Sequence, residues 1–447
     1  MKDLTEGSIK GHLLHMAAFL AAGMIVQTLY LLVDLYFVSG LGKEAIAGVA
    51  AGGSMTFVAL ALTQVLGVGT VTLIAHAAGR KDQADANLVF NQSVLLSAIC
   101  AVLVLVVGYA VTDGYVRMIS ADAGTALAGK TYLHWYLPNL ALQFAIVAMG
   151  SALRGTGIVK PTMLVQALTV ALNVVFAPVL IAGWGTGHAL GVMGAGLASS
   201  ISVAIGVAVL IVYFVSLERY VAFTPGQWRP QLATCRRLVN IGLPAGGEFA
   251  LMFVILVVLY SAIRQFGADA QAGIGIGLRV SQAIFLPAMA VAFAVSPIAG
   301  QNFGARLAPR VRETFRSAAF IGSSIMAALT LFCQWRPELL IGQFSSEPAV
   351  IEVGATYMRI TSWNFVASGI IFTCSGLFQA LGNTLPSLIS SGGRLITFVL
   401  PVLWLAHRPW VKIEHFWYLS VATVTLQAVV SCLLARGEMR RRLAFAA

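Results

Sequence analysis

Long apolar stretches, separated by short polar loops, run along almost the whole chain. Each stretch is long enough to supply the roughly 20 apolar residues that a membrane-spanning helix needs. The pattern predicts twelve spans, at about residues 13–38, 46–77, 88–112, 130–153, 161–183, 190–216, 236–263, 271–301, 315–335, 350–379, 386–406 and 415–435. We therefore expect an all-α polytopic membrane protein with twelve transmembrane helices.

The pattern also repeats itself. The segment Leu41–Gly48 returns as Phe266–Gly273, and glycines and prolines farther along keep the same shift of 225 residues. A constant shift over most of the chain indicates a duplicated unit. Because six spans return the chain to its starting side, the halves are predicted to be parallel repeats. We expect an N-terminal six-helix lobe, a cytoplasmic linker loop and a C-terminal six-helix lobe at residues 1–217, 218–235 and 236–447.

Composition and charge agree with a membrane protein. Hydrophobic residues make up 59% of the chain and charged residues 10%, whereas a soluble domain carries roughly 25% charged residues. The net charge of +11 lies in short loops and forms no single basic face, so nucleic acid is not expected as a partner. The loops on the N-terminal side carry more than twice as many lysines and arginines as the opposite loops. Both termini are therefore predicted to be cytoplasmic, in the cell inner membrane.

The usual motifs of membrane ATPases and hydrolases are missing from the sequence. The string nearest to a phosphate-binding loop, Gly150–Gly157, lacks the Gly-Lys-Ser/Thr ending. HExxH and GxSxG are absent, the histidines have no metal-ligand spacing, and the five cysteines form no CxxC pair. We expect no enzyme, no metal site and no cofactor beyond a coupling cation.

Acidic residues inside apolar spans are costly in lipid and are functional candidates. Asp34 lies in the first span with no lysine or arginine within a helical turn. Its carboxyl must face a polar cavity, pair across helices or stay protonated through desolvation. Glu248 lies in the seventh span, four residues after Pro244, where it can hold a cation or a proton or can pair with an arginine.

Other polar residues inside spans have two interpretations each. Arg279 and Arg394 either pair with an acid or snorkel to the interface, or they line a cavity. Asn173 and Gln282 either form hydrogen bonds between helices or line a cavity.

Several segments along the chain resemble the multidrug and toxic compound extrusion (MATE) family of cation-coupled efflux transporters. The first is Leu29–Gly42, which contains Asp34. The others follow in family order and are Gly67–Arg80, Leu153–Gly157, Gly194–Ser199, Gly242–Pro244, Gly300–Gly304 and Gln379–Gly382. The resemblance covers essentially the whole chain. It implies a V-shaped pair of lobes that alternates between outward and inward openings.

The resemblance also implies that Asp34 binds the coupling proton or sodium ion, with Asn173 and Ser199 nearby. Members with a well-defined cation site in the first lobe carry a second aspartate four residues after that asparagine, where this chain has Ala177. Because one anionic ligand is missing, a proton on Asp34 is favoured over sodium. Glu248 is a candidate for a second ion site in the C-terminal lobe.

These observations predict an antiporter, driven by protons or alternatively by sodium, that exports organic cations or drugs as a functional monomer in the lipid bilayer. Substrate is expected in a cavity between the lobes, for which the candidate residues are Tyr30, Asp34, Glu248, Arg279, Gln282 and Arg394. An alternative is a flippase for a lipid-linked or anionic lipid, in which Arg279 and Arg394 would contact phosphate.

Overall fold

A computed structural model describes residues 1–120 and 122–446, without the side chains of residues 30–35, 268–269 and 446. The described residues form α-helices and short 3-10 turns and contain no strand. The helices are α1 Ile9–Ser39, α2 Lys43–Gly53, α3 Met55–Gly79, α4 Gln83–Ile119, α5 Ala123–Gly155, α6 Lys160–Ile181, α7 Val192–Ser216, α8 Leu232–Ile263, α9 Ala268–Gly304, α10 Ala308–Trp335, α11 Pro337–Ile341, α12 Pro348–Thr361, α13 Asn364–Ala380, α14 Leu385–Ala406 and α15 Ile413–Arg442.

Eleven helical stretches of the described residues are long and apolar enough to cross a membrane. α2 and α3 act together as one of these stretches, Lys43–Gly79. The twelfth is the pair α12 and α13, which is bent by 55° at a short break. The predicted all-α protein with twelve spans is therefore confirmed.

The repeat is visible in the backbone as well as in the sequence. Gly42 and Gly267, which precede equivalent helices, have φ angles of 99° and 92°. Lys81 and Arg306 both have a φ of 58° in the turns after α3 and α9. Non-glycine residues seldom adopt a positive φ, so the same unusual turn at positions 225 residues apart supports duplication of one six-helix unit.

The break between α12 and α13 is stabilised by side chains of α10. A break leaves helix carbonyls without their usual donors, and inside a membrane these carbonyls need other partners. The Thr330 hydroxyl donates to the Ser362 carbonyl at 2.9 Å. The Gln334 amide donates to the Arg359 carbonyl at 2.6 Å and to the Ser362 hydroxyl at 2.8 Å.

The chain divides into two compact units. The first contains Met1–Asp3 and Ala22–Gly242, and the second contains Leu4–Ala21 and the residues from Leu243 onward. The start of α1 thus belongs to the second unit, and the start of α8 belongs to the first. Each unit has its own apolar core, built around Phe90 and Phe214 in the first and around Phe398 and Trp417 in the second.

The loop between α7 and α8 is held against α4 in the first unit. The Asn91 amide donates to the Ala222 carbonyl at 2.9 Å, and its oxygen accepts from the Thr224 backbone N–H and the Trp228 indole, both at 2.9 Å. Gln92 donates to two further loop carbonyls. Two buried amides therefore fix a loop whose Val221 and Phe223 also pack against the apolar core of the first unit.

We expect Asn91→Leu to lower the free energy of unfolding by about 2 kcal/mol or more, because it leaves the Thr224 N–H and the Trp228 indole N–H without their acceptor and removes one donor from the Ala222 carbonyl. The measurement is thermal unfolding of the purified protein in detergent. The exposed Gln343→Leu is the control and should melt like the unchanged chain. Equal melting of both variants would contradict a stabilising role for Asn91.

Candidate ion-binding sites

The carboxylate of Glu248 on α8 is surrounded by serine hydroxyls in the second unit. Ser387 donates to its Oε2 at 2.7 Å, Ser375 donates to the same oxygen at 3.3 Å, and Ser391 donates to Oε1 at 3.2 Å. Ser387 and Ser391 are four residues apart on α14, so they lie on one face of that helix. Three helices, α8, α13 and α14, thus contribute to one oxygen-rich site.

The polar network continues from α14 to α15. The Gln427 amide donates to the Ser391 hydroxyl at 3.2 Å, and the hydroxyls of Ser390 and Ser431 share a hydrogen bond of 2.7 Å. All four side chains are buried. The Gln427 oxygen is a buried acceptor with no hydrogen-bond partner among the described residues. It belongs to the side chain that bonds to Ser391, and Ser391 in turn bonds to Glu248.

Glu248 has no cationic partner within the described part of the chain. Among the described residues, its oxygens accept hydrogen bonds from three neutral hydroxyls, and no ion pair includes it. The arginine considered as an alternative partner is therefore not among its contacts. A carboxylate in a membrane span needs charge compensation, and oxygen ligands are those that hard cations prefer. The arrangement can hold a proton or a hard cation.

The backbone of α8 comes close to α14 at this site. A Cβ on Gly247 would lie 3.1 Å from the Leu388 side chain, so the small residue before Glu248 allows the carboxylate to reach the serines. Pro244, inside α8, supplies no N–H to the helix one turn earlier.

A second polar contact lies in the first unit. The Asn173 amide on α6 donates to the Ser199 hydroxyl on α7 at 3.4 Å, and both side chains are fully buried. Ala177, one turn beyond Asn173, is fully buried as well. The structure therefore brings Asn173 and Ser199 together. The side chains of Asp34 and Tyr30 lie outside the described residues.

The two units differ at the positions that the repeat makes equivalent. Glu248 corresponds to Gly23, and Ser391 corresponds to Gln166. A Cβ on Gly23 would lie 2.5 Å from the Gln166 side-chain oxygen, so a neutral amide occupies this place in the first unit. Conversely, Asn173 corresponds to Phe398, which is buried in the apolar core of the second unit. The two repeats thus have different polar side chains at equivalent positions.

The remaining candidates are more exposed. Arg279 and Gln282 are exposed on α9, and no hydrogen bond or ion pair joins either side chain to Glu248. Arg394 is partly buried on α14, three residues after Ser391, and its Nε has no hydrogen-bond partner among the described residues.

The sequence alone did not point to the partners of Glu248, namely Ser375, Ser387 and Ser391, or to Gln427, which bonds to Ser391. A signal was present in α14, where serines at 387, 390 and 391 have helical spacing inside an apolar span. The sequence does not show that these hydroxyls face α8, because that depends on how the helices pack.

Comparison with known proteins agrees with the repeat and with the helical architecture. The profile of the MatE family matches the chain twice, at residues 20–179 and 244–405. The multidrug export protein MepA of Staphylococcus haemolyticus is 24% identical over 93% of this chain and 91% of its own length. The probable multidrug resistance protein NorM of Thermotoga maritima is 25% identical over 88% of this chain and 83% of its own length.

A solved structure shares the fold over nearly the whole length. The outward-facing conformation of a multidrug resistance MATE family transporter of the MOP superfamily has a TM-score of 0.91, with 25% identity and 98% of both chains covered. None of these relatives supports the flippase alternative. The two profile matches together span most of the chain, one in each half, and the chain therefore belongs to the MatE family of membrane transporters and is not an enzyme.

Proposed function

We propose that this chain is a cation-coupled antiporter that exports organic cations or drugs by alternating access. The relatives named as multidrug export and multidrug resistance proteins support the substrate class. The observation that supports the coupling is the environment of Glu248, an acid in a membrane span whose hydrogen-bond partners among the described residues are neutral hydroxyls. Such a group binds a cation or proton from one side of the membrane and releases it on the other.

Coupling requires only that the ion and the substrate favour opposite conformational states. In this proposal Glu248 is the ion site of the second unit, and Asp34 with Asn173 and Ser199 is the site of the first. A proton is the coupling ion at Asp34, because Ala177 supplies no second carboxylate. Sodium is the alternative, which the oxygen ligands around Glu248 also suit.

The proposed placement follows from the loop charges. In this proposal the transporter lies in the plasma membrane with both termini in the cytoplasm. It acts as a monomer, and the lobes 1–217 and 236–447 move around the linker 218–235. Tyr30, Arg279, Gln282 and Arg394 are proposed to line the substrate cavity together with the two acids.

The direct test is transport in proteoliposomes that carry a pH gradient or a sodium gradient, each applied separately. We expect the pH gradient alone to drive uptake of a fluorescent organic cation, and we expect uptake to collapse when a protonophore removes the gradient. Liposomes without protein are the control. Uptake driven only by sodium would refute proton coupling, and no uptake under either gradient would refute the antiporter proposal.

A further inference from the structure

A groove of about 500 Å³ runs between α13 and α15 on the second unit. Its floor contains the small side chains of Ala367 and Ala428, which pack together with Ile371 and Val424. Trp363, at the break between α12 and α13, lies at one end, and Arg436 lies at the other. The volume falls within the range of ligand pockets, roughly 300–1,000 Å³.

The length of the groove matches one leaflet of a membrane. Thr425 and Arg436 both line it, and they are separated by about 16 Å along α15 at the rise of an α-helix. The hydrocarbon core of a bilayer is about 30 Å thick, so the groove reaches from the interface to about the midplane. Apart from Thr425, Cys432 and Arg436, its lining is apolar, as an acyl chain requires.

A free positive charge marks the interfacial end. Arg436 and Arg440 are exposed one turn apart on α15, and neither has an ion pair among the described residues. Arg441 and Arg442, by contrast, bind Glu438 at 2.8 and 3.0 Å. Glu438 is therefore already paired with these two arginines, and Arg436 is available to an anion at the end of the groove.

We propose that this groove binds an anionic phospholipid, with one acyl chain between α13 and α15 and the phosphate on Arg436. Basic residues at the end of a groove between membrane helices attract anionic headgroups, and the apolar lining holds the chain. Binding itself is independent of transport. Arg436 lies near the C-terminal end of α15, so the lipid belongs to the cytoplasmic leaflet, and this assignment alone rests on the orientation proposed above.

The test uses phosphatidylcholine vesicles that contain phosphatidylglycerol brominated near the ends of its acyl chains. Bromine quenches nearby indoles, and the signal of Trp363 is the difference between the unchanged chain and Trp363→Phe. We expect brominated phosphatidylglycerol to quench Trp363 at mole fractions at which brominated phosphatidylcholine does not. Equal quenching by both lipids would overturn the proposal.

Variants separate a bound lipid from ordinary lipid contact. Arg436→Gln should raise the half-quenching mole fraction about fivefold, as expected from about 1 kcal/mol per basic residue near the surface. Arg316→Gln, which removes another exposed arginine from α10, should leave it unchanged. Ala428→Phe should abolish the quenching by filling the groove, with folding checked by thermal unfolding. An unchanged half-quenching mole fraction in Arg436→Gln would overturn the proposal. So would quenching that is lost when the protein-to-lipid ratio is raised, because a second copy of the chain would then cover the groove.

Discussion

Glu248→Gln is expected to reduce coupled efflux to background while the protein still folds and inserts. Glutamine has almost the same size, and its carbonyl oxygen can accept a hydrogen bond from one of the serines while its amide NH2 donates to another, but it carries no charge and takes up no proton. The loss of a charged contact costs about 2 kcal/mol, which is roughly thirtyfold in ion affinity. The measurement is efflux of a fluorescent organic cation from cells, together with the amount of protein in the membrane.

The repeat offers a matched control for this variant. Gln166, opposite Gly23, is a polar side chain at the equivalent place in the first unit. Gln166→Met removes its hydrogen-bonding groups at similar volume and should leave efflux unchanged. Ser387→Ala, which removes the shortest of the three hydrogen bonds to Glu248, should weaken ion dependence without abolishing transport. Full efflux by Glu248→Gln with an unchanged response to the ion gradient would remove Glu248 from the coupling mechanism.

The helical fold could be predicted from hydropathy, but the interruptions of its helices could not. The predicted span 350–379 is divided in the structure at Ser362 and Trp363. No proline or glycine marks this break, and the side chains that stabilise it, Thr330 and Gln334, come from α10. Likewise, α15 continues to Arg442, beyond the predicted end at 435, because a helix can extend past the apolar stretch that hydropathy detects.

The acids of the candidate sites were predictable, but the residues around them were less so. Glu248 is conspicuous because charges are rare in apolar spans, and the pairing of Asn173 with Ser199 follows the family pattern. Ser375 and Gln427 look like ordinary residues of membrane helices, where hydroxyl and amide groups often serve helix packing. Their role emerges only when α13, α14 and α15 bring them to the same carboxylate and its neighbours.

We expect Asp34→Asn to abolish drug efflux while leaving expression intact. Asparagine is isosteric with aspartate, so packing around α1 should be preserved, but the side chain can no longer bind a proton or carry a charge. The repeat supports a specialised role for this acid, because the equivalent position in the second unit is Leu259, a buried member of an apolar core. The measurement is efflux at equal amounts of membrane protein, with drug binding followed separately by fluorescence anisotropy.

A control for the loss of one carboxylate is Asp113→Asn on α4. Asp113 pairs with Lys130 at 2.8 Å, and both side chains are more than half exposed, so this pair contributes little to stability. Its removal should leave efflux intact. If Asp34→Asn transports like the unchanged chain, Asp34 is not the coupling residue. Loss of efflux in each single variant, the expected result, means that the two acids act in one obligatory cycle. If each variant instead kept transport with half of the proton flux per drug exported, both predictions would be wrong and the two units would carry separate protons.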